Sequence, residues 1–568
     1  MTSNFDAIIV GAGGGGAVIA KELGEQGLKV LVLEAGAWYG NKKWPYPNQE
    51  RGAKSSSNPD DLDVGLLKKY YTKYENDMND VVSGKLRWGP ADRRRPPWAR
   101  DLPQNGFVWQ ASGVGGTTQH YWANSPRAYP LAIDNVWPIP YSELIPYYEK
   151  VESTLPVYFA ATTSKEELYY YGASKAGWSL LDKVNITSPG YRPQPNAILP
   201  PNENLMNPAY TLEQLSNMEG CTLAGHCVNG CPHGPTVDKI AKRSTNVSYI
   251  PLAMKTGNVT IQPNAFTTRI LTDTDPKEGL RAVGVEYRDT WTGETQEVRA
   301  NTVVMAAGAL ETPRLWLNSG LPHNSWVGRG LTNHYFDAVT GIFNEKELNS
   351  ILGSPGVNSF VGNTSGARFD YPGLGCMLLF GLSPGLFSTL GSLSNAGYNF
   401  LHPHPPDEPW DAYGRVVGVP LKEMMMNYRR MLSLLIITAD EPLPQNRVTV
   451  RPTLVDEYGP IPIVSYTPDK EAKNKRNQLA KIAADILKNA GAKEILRTDL
   501  PPGLFLHLES TMRMGYVVDT SCEAIQVKRL FIADNCVHYN AIGGANPTLT
   551  TQALAVRTAE KLVNKYFS

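Results

Sequence analysis

The sequence has no excess of charge, no long apolar run and few cysteines. Lysine plus arginine equals aspartate plus glutamate, at 54 each. This balance argues against a nucleic-acid partner, because binding of phosphates needs a cationic excess. No run reaches the ~18 apolar residues of a spanning helix, and the N-terminus MTSNFDAIIVG lacks a basic, apolar leader. We therefore expect a cytoplasmic protein without a transmembrane segment, or alternatively a periplasmic one that is exported bound to a partner subunit. In the cytoplasm its 6 cysteines stay reduced, which favours a thiolate cluster over disulfides.

The first 36 residues predict a strand, a glycine-rich turn, a helix and a second strand. FDAIIVG and KVLVLEAG have the apolar composition of buried parallel strands, and AVIAKELGEQG predicts the helix between them. Gly11, Gly13 and Gly16 occupy the turn, where backbone N–H groups can approach a pyrophosphate. Glu34 ends the second strand and is placed to accept hydrogen bonds from ribose hydroxyls. The segment predicts dinucleotide binding but does not separate NAD from FAD.

The rest of the chain predicts a second domain inserted into the first. A chain of 568 residues is too long for one core. Alternating residues between 258 and 308 predict a β-meander, and residues 470–490 predict a helix. The last sixty residues return to a buried strand (RLFIAD), a glycine-rich turn (GGANP) and a closing helix.

Three further segments carry a family resemblance. GALETPRLWLNSG (308–320), HLESTMRMG (507–515) and GGANPTLTTQALAVRTAEKL (543–562) resemble the glucose–methanol–choline (GMC) family of FAD-dependent oxidoreductases, and bacterial sugar and alcohol dehydrogenases above all. The resemblance implies an α/β fold, with an FAD-binding Rossmann-like domain and an inserted substrate domain built on a mostly antiparallel sheet. We expect the FAD-binding domain to comprise residues 1–130, 220–330 and 505–568, and the substrate-binding domain residues 131–219 and 331–504.

The same resemblance assigns two catalytic residues. Oxidation of a CH–OH group needs a base for the hydroxyl proton and a polar group for the developing alkoxide, and histidine suits the first task. Carried over from the family motif, the base is His507 and its partner is Asn546, within GGANP. His538 matches no catalytic position, and we interpret it as a loop residue.

The resemblance also assigns FAD contacts. GVGGTTQHYWA (113–123) resembles the loop around the isoalloxazine, and its His120 is either an 8α-covalent attachment point or a contact beside the ring. The other expected contacts, besides the glycine turn and Glu34, are Gly115, Gly116, Thr117, Thr267, Asp534, Asn535, Pro547 and Thr548.

Three cysteines lie close together in GCTLAGHCVNGCPHG (220–234). Cys221, Cys227 and Cys231, with proline after the last, are spaced similarly to the iron–sulfur loop of cluster-bearing relatives. A zinc site that adds His226 or His233, and plain packing of small sulfur side chains, are the alternatives. We expect the iron–sulfur cluster, with electrons passed to a small subunit, a cytochrome or a quinone.

Several functions stay open at this point. The leading one is a dehydrogenase that acts on a sugar, glycoside or cyclic polyol and uses a non-oxygen acceptor. The alternatives are an oxidase that makes H₂O₂ from O₂, and a sterol or long-chain alcohol dehydrogenase whose apolar stretch 376–395 forms a lid. A lyase and a binding module that performs no chemistry complete the set. The pair His507 and Asn546 argues against both of these.

Overall fold

The computed structural model describes residues 5–43, 54–69, 99–102, 106–206, 210–225, 227, 231, 233–385, 387–388, 416–498, 500 and 503–568. His226, Pro232 and residues 389–395, on which predictions were made, lie outside this set. Within it, no helix is both long and apolar enough to cross a membrane.

The larger sheet combines parallel strands with an antiparallel meander. Its spatial order is Val259–Gln262, Val30–Leu33, Phe5–Val10, Thr295–Met305, Gly279–Asp289 and Ala265–Asp275, with Leu530–Ile532 paired beside Thr295–Met305. The first four strands and Leu530–Ile532 run parallel, and the meander is antiparallel. The predicted α/β fold is confirmed. Because the parallel strands end at one edge, the turns that follow them meet there.

Helices cover the larger sheet. The first helix, Gly16–Glu25, packs against Tyr249–Lys255 and the closing helix Thr548–Tyr566, which in turn packs against Tyr141–Thr154. Residues 7–10, 17–20 and 30–33 are buried, because both faces of the parallel strands are covered. The helix Gly308–Asn318 follows the strand Thr295–Met305 at the edge where the turns meet.

The second sheet is antiparallel. Its spatial order is Glu494–Thr498, Asp337–Ile342, Met431–Thr438, Gly375–Phe380, Ala367–Tyr371 and Gly190–Pro193. The helices Ser164–Lys175 and Lys470–Asn489 pack on one face, and the short helix Glu345–Leu352 packs against Ser164–Lys175. The opposite face packs toward the first part of the molecule through Phe336, Ala338, Cys376, Leu378, Phe380, Leu435 and Ile437.

Smaller elements lie outside the two sheets. They comprise the hairpin Arg447–Asp456 with Gly459–Ser465, the pair Thr332–Asn333 with Leu508–Glu509, the group Ala99–Leu102, Gly106–Trp109 and Leu504–Phe505, the pair Tyr158–Phe159 with Pro195–Asn196, and the helices Pro130–Ile133, Leu212–Asn217 and Gly418–Met426.

The two sheets draw their strands from different parts of the chain. The larger sheet uses residues 5–33, 259–305 and 530–532, and the second sheet uses 190–193 and 337–498. The domain boundaries themselves stay a prediction. The expected lid is wrong for its first part, because Gly375–Phe380 is a buried strand inside the second sheet.

Candidate active site

The glycine turn packs too tightly for side chains. Gly11 has a φ of +102°, and a Cβ there would lie 2.4 Å from the carbonyl oxygen of Ala306. A Cβ on Gly16 would lie 2.0 Å from the oxygen of Gly11, and one on Gly15 only 1.7 Å from the oxygen of Ala533. The turn is therefore pressed against the chain that follows two neighbouring parallel strands, and its bare backbone is left for a ligand.

A cavity of about 240 Å³ opens at this turn. Nine of the predicted contact residues line it: Gly11, Gly13, Glu34, Gly116, Thr117, Thr267, Asp534, Asn535 and Thr548. Gly16, Gly115, His120 and Pro547 are not among its described lining. Gly115 donates its N–H to the oxygen of Ala12, within the glycine turn, across 2.9 Å. Pro547 immediately precedes the closing helix.

Glu34 ties the glycine turn to the loop that begins at Gly113. Its Oε2 accepts from the N–H of Ala12 at 2.9 Å, and its Oε1 accepts from Gly36 and Gly113 at 2.8 Å each. Burial raises the pKa of the Glu34 carboxyl, although these three hydrogen bonds oppose the rise. Besides lining the cavity, Glu34 therefore holds two of its walls together, which the sequence motif did not reveal.

The cavity suits a dinucleotide. Thr267 lines it with a buried hydroxyl that has no hydrogen-bond partner in the described part of the chain. The Asp534 carboxylate accepts from the Gly308 N–H and the Thr312 hydroxyl, at 2.9 and 2.6 Å, and so orders the opposite wall. Glycines where a Cβ would meet backbone and an unpaired buried hydroxyl are the features that a bound pyrophosphate and sugar require.

His507 lies opposite His334 because of strand register. Thr332 pairs with Glu509, and Asn333 pairs with Leu508. The next step of this antiparallel register brings the Nδ1 atoms of His334 and His507 within 2.9 Å. Burial and the neighbouring His334 lower the pKa of His507 well below its usual value, so the imidazole is neutral at pH 7.

His507 nevertheless keeps part of its surface accessible, whereas His334 is fully buried. Nε2 of His507 makes no hydrogen bond within the described residues. A neutral imidazole with an unoccupied ring nitrogen can accept a proton.

Asn546 is held by an arginine of the second sheet. Nη1 of Arg368 donates to Oδ1 of Asn546 across 3.3 Å, and Nδ2 of Asn546 makes no hydrogen bond to the described residues. Nearby, Cys376 Sγ donates to the oxygen of Gly544 at 3.1 Å, so this segment lies against the second sheet. The arrangement leaves Asn546 with N–H groups to offer.

Arg368 belongs to a buried ion cluster. Its Nε donates to Oδ1 of Asp370 at 2.7 Å, and Nε of Arg192 donates to Oδ2 at 2.7 Å. Tyr129 also donates to Oδ1, at 2.5 Å. Burial opposes ionisation of Asp370, but the two arginines outweigh it and lower the pKa of its carboxyl to about 2. Two guanidinium groups against one carboxylate leave an excess positive charge beside Asn546.

Glu509 and His538 are two further buried groups, and Glu509 lies near His334, the partner of His507. Nε2 of His334 lies 3.0 Å from the oxygen of Ala541 and 3.6 Å from Oε1 of Glu509. Oε2 of Glu509 lies 2.6 Å from Nδ1 of His538. His538 lies outside helices and strands, as expected of a loop residue, but it is fully buried. Sequence reasoning missed His334, Glu509 and Arg368. Strand pairing brings His334 to His507, and Arg368 reaches Asn546 because the segment before the closing helix lies against the second sheet. Glu509 lies within the same motif as His507, but the motif gave no sign of its contacts with His334 and His538.

The cysteine loop does not fit the predicted metal sites. Cys221, Cys227 and Cys231 line one cavity, whose volume among the described residues is about 20 Å³, about that of one water molecule. All three are free thiols, and burial raises the pKa of Cys231 to about 11. Among the described residues, no group of three or more His, Cys, Asp or Glu side chains is arranged to hold a metal ion. For zinc, His233 Nδ1 is hydrogen-bonded to the Thr222 hydroxyl, and His226 is not described.

A lysine connects this loop to the segment around His120. Nζ of Lys242 donates to the carbonyl oxygens of Cys227 and Gln119 at 2.6 and 2.7 Å. Burial lowers the pKa of Lys242 to about 8. The contact joins the cysteine loop to the loop that contains His120, and it is made through backbone rather than sulfur.

Comparisons with known proteins agree with this geometry. The chain is 25% identical to 2-methyl-1,2-propanediol dehydrogenase of Mycolicibacterium austroafricanum, over 99% of this chain and 95% of that protein. It is 25% identical to 6'''-hydroxyparomomycin C oxidase of Streptomyces lividus (99% and 91%) and 24% identical to the fructose dehydrogenase large subunit of Gluconobacter japonicus (99% and 98%). Two family models described as GMC oxidoreductase match residues 5–336 and 442–555. With its glycine turn, its nucleotide cavity and both family regions in place, the chain belongs to the GMC oxidoreductase family of FAD-dependent enzymes that oxidise alcohol and sugar donors.

Proposed function

We propose that the protein oxidises a CH–OH group with His507 as the base and Asn546 as the hydrogen-bond donor to the substrate oxygen. The observation that carries this proposal is the neutral His507 imidazole, whose Nδ1 is engaged by His334 while Nε2 has no partner in the described residues. FAD, when bound, supplies the acceptor for the hydride.

Residues of the chain accept the proton and stabilise the developing alkoxide. His507 accepts the hydroxyl proton as the C–H bond breaks. Nδ2 of Asn546 donates to the oxygen on which negative charge develops, because its Oδ1 is already occupied by Arg368. The excess positive charge of Arg192 and Arg368 over Asp370 favours that developing alkoxide.

For the cofactor, we propose that the bare backbone at Gly13 approaches the pyrophosphate and that Thr267, Asp534, Asn535 and Thr548 contact FAD. We assign Gly16, Gly115 and Pro547 supporting positions behind the cavity wall. The residue boundaries of the FAD-binding and substrate-binding domains follow the sequence division given above.

The substrate we propose is a small polyol, sugar or glycoside. Relatives named for 2-methyl-1,2-propanediol, fructose and an aminoglycoside support this class. A long-chain alcohol is the second candidate, because a long-chain-alcohol oxidase of Arabidopsis thaliana is 24% identical over 98% of this chain.

An anaerobic substrate screen tests the proposal. Purified holoenzyme is mixed with polyols, sugars, glycosides and long-chain alcohols, and loss of the yellow flavin absorbance is followed by stopped flow. Reduction by a polyol or sugar that disappears in His507→Ala supports the assignment. A holoenzyme that no alcohol reduces, or a His507→Ala variant that is reduced at the parent rate, overturns it.

The electron acceptor needs a separate measurement. We propose a dehydrogenase with a non-oxygen acceptor, which relatives named dehydrogenases support. The second candidate is an oxidase, which relatives named oxidases support. Substrate-reduced enzyme is mixed with air-saturated buffer or with a quinone. Fast reoxidation by air with release of H₂O₂ identifies an oxidase, whereas fast reoxidation by the quinone alone identifies a dehydrogenase.

Iron and acid-labile sulfide measured after anaerobic purification test the cysteine loop. The described geometry leads us to expect yellow protein without iron. Stoichiometric iron and sulfide that disappear in Cys227→Ser would restore the predicted cluster and its role in transfer to a partner subunit.

A further inference from the structure

His334 stands between His507 and a backbone carbonyl. Its Nδ1 lies 2.9 Å from Nδ1 of His507, and its Nε2 lies 3.0 Å from the oxygen of Ala541. Glu509 places Oε1 at 3.6 Å from the same Nε2. His334 is fully buried, and burial lowers the pKa of its imidazole, although Glu509 opposes the change. It is therefore neutral at pH 7 and carries one ring proton.

The hydrogen bond to the carbonyl of Ala541 determines which ring nitrogen of His334 carries that proton. A carbonyl oxygen only accepts hydrogen bonds, so Nε2 of His334 must be the donor. Nδ1 of His334 is then a lone pair and can only accept. Because the two Nδ1 atoms are within hydrogen-bond distance, His507 must carry its proton on Nδ1. The lone pair of neutral His507 is consequently on Nε2.

We propose that His334 is a positioning residue that fixes His507 in the tautomer with a free lone pair on Nε2. This inference rests on the proposed role of His507 as base. The opposite tautomer, with the proton on Nε2, would present a donor to the substrate hydroxyl and could not accept its proton.

With His507 in this tautomer, every proton in the proposed step is accounted for. The O–H bond of the substrate breaks, and its proton forms an N–H bond at Nε2 of His507. The C–H bond breaks as its electron pair leaves as hydride, for which FAD, when bound, would be the acceptor, and the carbon–oxygen bond becomes a carbonyl. The resulting imidazolium keeps its Nδ1–H donated to Nδ1 of His334, so no second proton has to move. His334 never touches the substrate in this scheme and acts only through His507.

Asparagine and leucine at position 334 form a matched pair. Both shorten the side chain equally and lose the ring. In His334→Asn the new amide can turn its Nδ2 toward Ala541 and Glu509 and leave its Oδ1 as an acceptor for Nδ1–H of His507. His334→Leu offers no acceptor at all.

The test uses FAD-loaded enzyme with ¹⁵N-labelled histidine. Ring-nitrogen shifts of His507 are assigned by their loss in His507→Ala. We expect the parent and His334→Asn to carry the His507 proton on Nδ1, and His334→Leu to carry it partly or wholly on Nε2. The kcat of His334→Leu should fall by about 10²-fold or more, since an enzyme with the wrong histidine tautomer loses up to about 10⁴-fold. His334→Asn should recover to within about tenfold of the parent, with KM and FAD content unchanged in both.

The spectrum of the parent alone is decisive, even if both variants fail to fold. A proton on Nε2 of His507 overturns the inference, as does a His334→Leu enzyme that keeps the Nδ1 tautomer and full turnover. If the tautomer is as expected but His507→Ala turns over normally, the proposed base fails and the tautomer assignment stands.

Discussion

Glu509 and His538 share a hydrogen bond of 2.6 Å between Oε2 and Nδ1, and both side chains are fully buried. Burial raises the pKa of the Glu509 carboxyl to about 8, despite the opposing effect of His334, and lowers the pKa of His538 to about 3. At neutral pH the stable form of the pair is therefore a carboxylic acid that donates to a neutral imidazole.

This state makes stability depend on pH in a defined direction. Below about pH 4.5, Glu509 is protonated in both the folded and the unfolded chain. Its buried carboxyl then does not lower the free energy of unfolding. As pH rises toward 8, the unfolded chain loses the proton that the folded protein must keep, so the free energy of unfolding falls. Glu509→Gln mimics the protonated acid. It should therefore become more stable than the parent by on the order of a few kcal/mol at pH 8, since each pKa unit corresponds to about 1.4 kcal/mol.

Urea unfolding at pH 5 and pH 8 measures this difference, and the exposed Glu294→Gln serves as control. A gap between parent and Glu509→Gln that does not widen with pH would show that Glu509 ionises freely in the folded protein.

Removal of the base should affect chemistry and spare the cofactor. We expect His507→Ala to lower kcat by about 10²–10⁴-fold, because proton abstraction is lost. Flavin content should stay at the parent level, since His507 is not among the described lining of the nucleotide cavity. Steady-state turnover and the flavin-to-protein ratio check both parts, and a deficit in flavin would indicate a structural role instead.

Arg368 should affect kcat through its hydrogen bond to Asn546. In Arg368→Lys the charge beside Asp370 is kept, but one ammonium group cannot contact both Asp370 and Oδ1 of Asn546 as the guanidinium does. We expect kcat to fall about tenfold, the effect of one misplaced hydrogen bond. Arg281→Lys, which changes a surface ion pair with Asp273, is the control and should turn over normally. Equal activity of the two variants would remove Arg368 from the mechanism.

A side chain at Gly15 should disturb the glycine turn, whereas one at Gly14 should be tolerated. A Cβ on Gly15 would meet the oxygen of Ala533 at 1.7 Å, whereas one on Gly14 would contact Thr118 Cγ2 at an ordinary 3.6 Å. Gly15→Ala should therefore lose FAD and lower the free energy of unfolding by about 1–3 kcal/mol, the usual effect of overpacking. Thermal melts and flavin content of both variants provide the measurement, and a Gly15→Ala protein with parental stability would contradict the described turn.

His120 can be tested for covalent attachment with acid. It ends the short 3₁₀ helix Gly116–Gln119, whose first residues line the cavity. If an 8α bond exists, the acid-precipitated pellet stays yellow, and the colour moves to the supernatant in His120→Ala. FAD released completely from the parent would leave His120 as a contact beside the ring.

Local sequence determined much of the fold. The strand Phe5–Val10, the glycine turn, the helix Gly16–Glu25 and the strand Val30–Leu33 lie where their composition predicted. The meander between 259 and 305 and the helix Lys470–Asn489 do so as well. Apolar periodicity and glycine placement act over a few residues, so they can be recognised without a partner. His507 and Asn546 were predicted differently, from the resemblance of their motifs to a known family, and their catalytic roles stay a prediction.

Contacts between distant segments were decided only by the tertiary structure. Gly15 occupies a variable position of the dinucleotide motif, and only the strand that ends at Ile532 brings Ala533 against it. Arg368 reaches Asn546 because the segment before the closing helix lies on the second sheet. His334 meets His507 because Thr332 pairs with Glu509, and a shift of that register by one residue would turn the two imidazoles to opposite faces. Strand register is set by packing of the whole sheet, and therefore no local pattern encodes which histidine faces which.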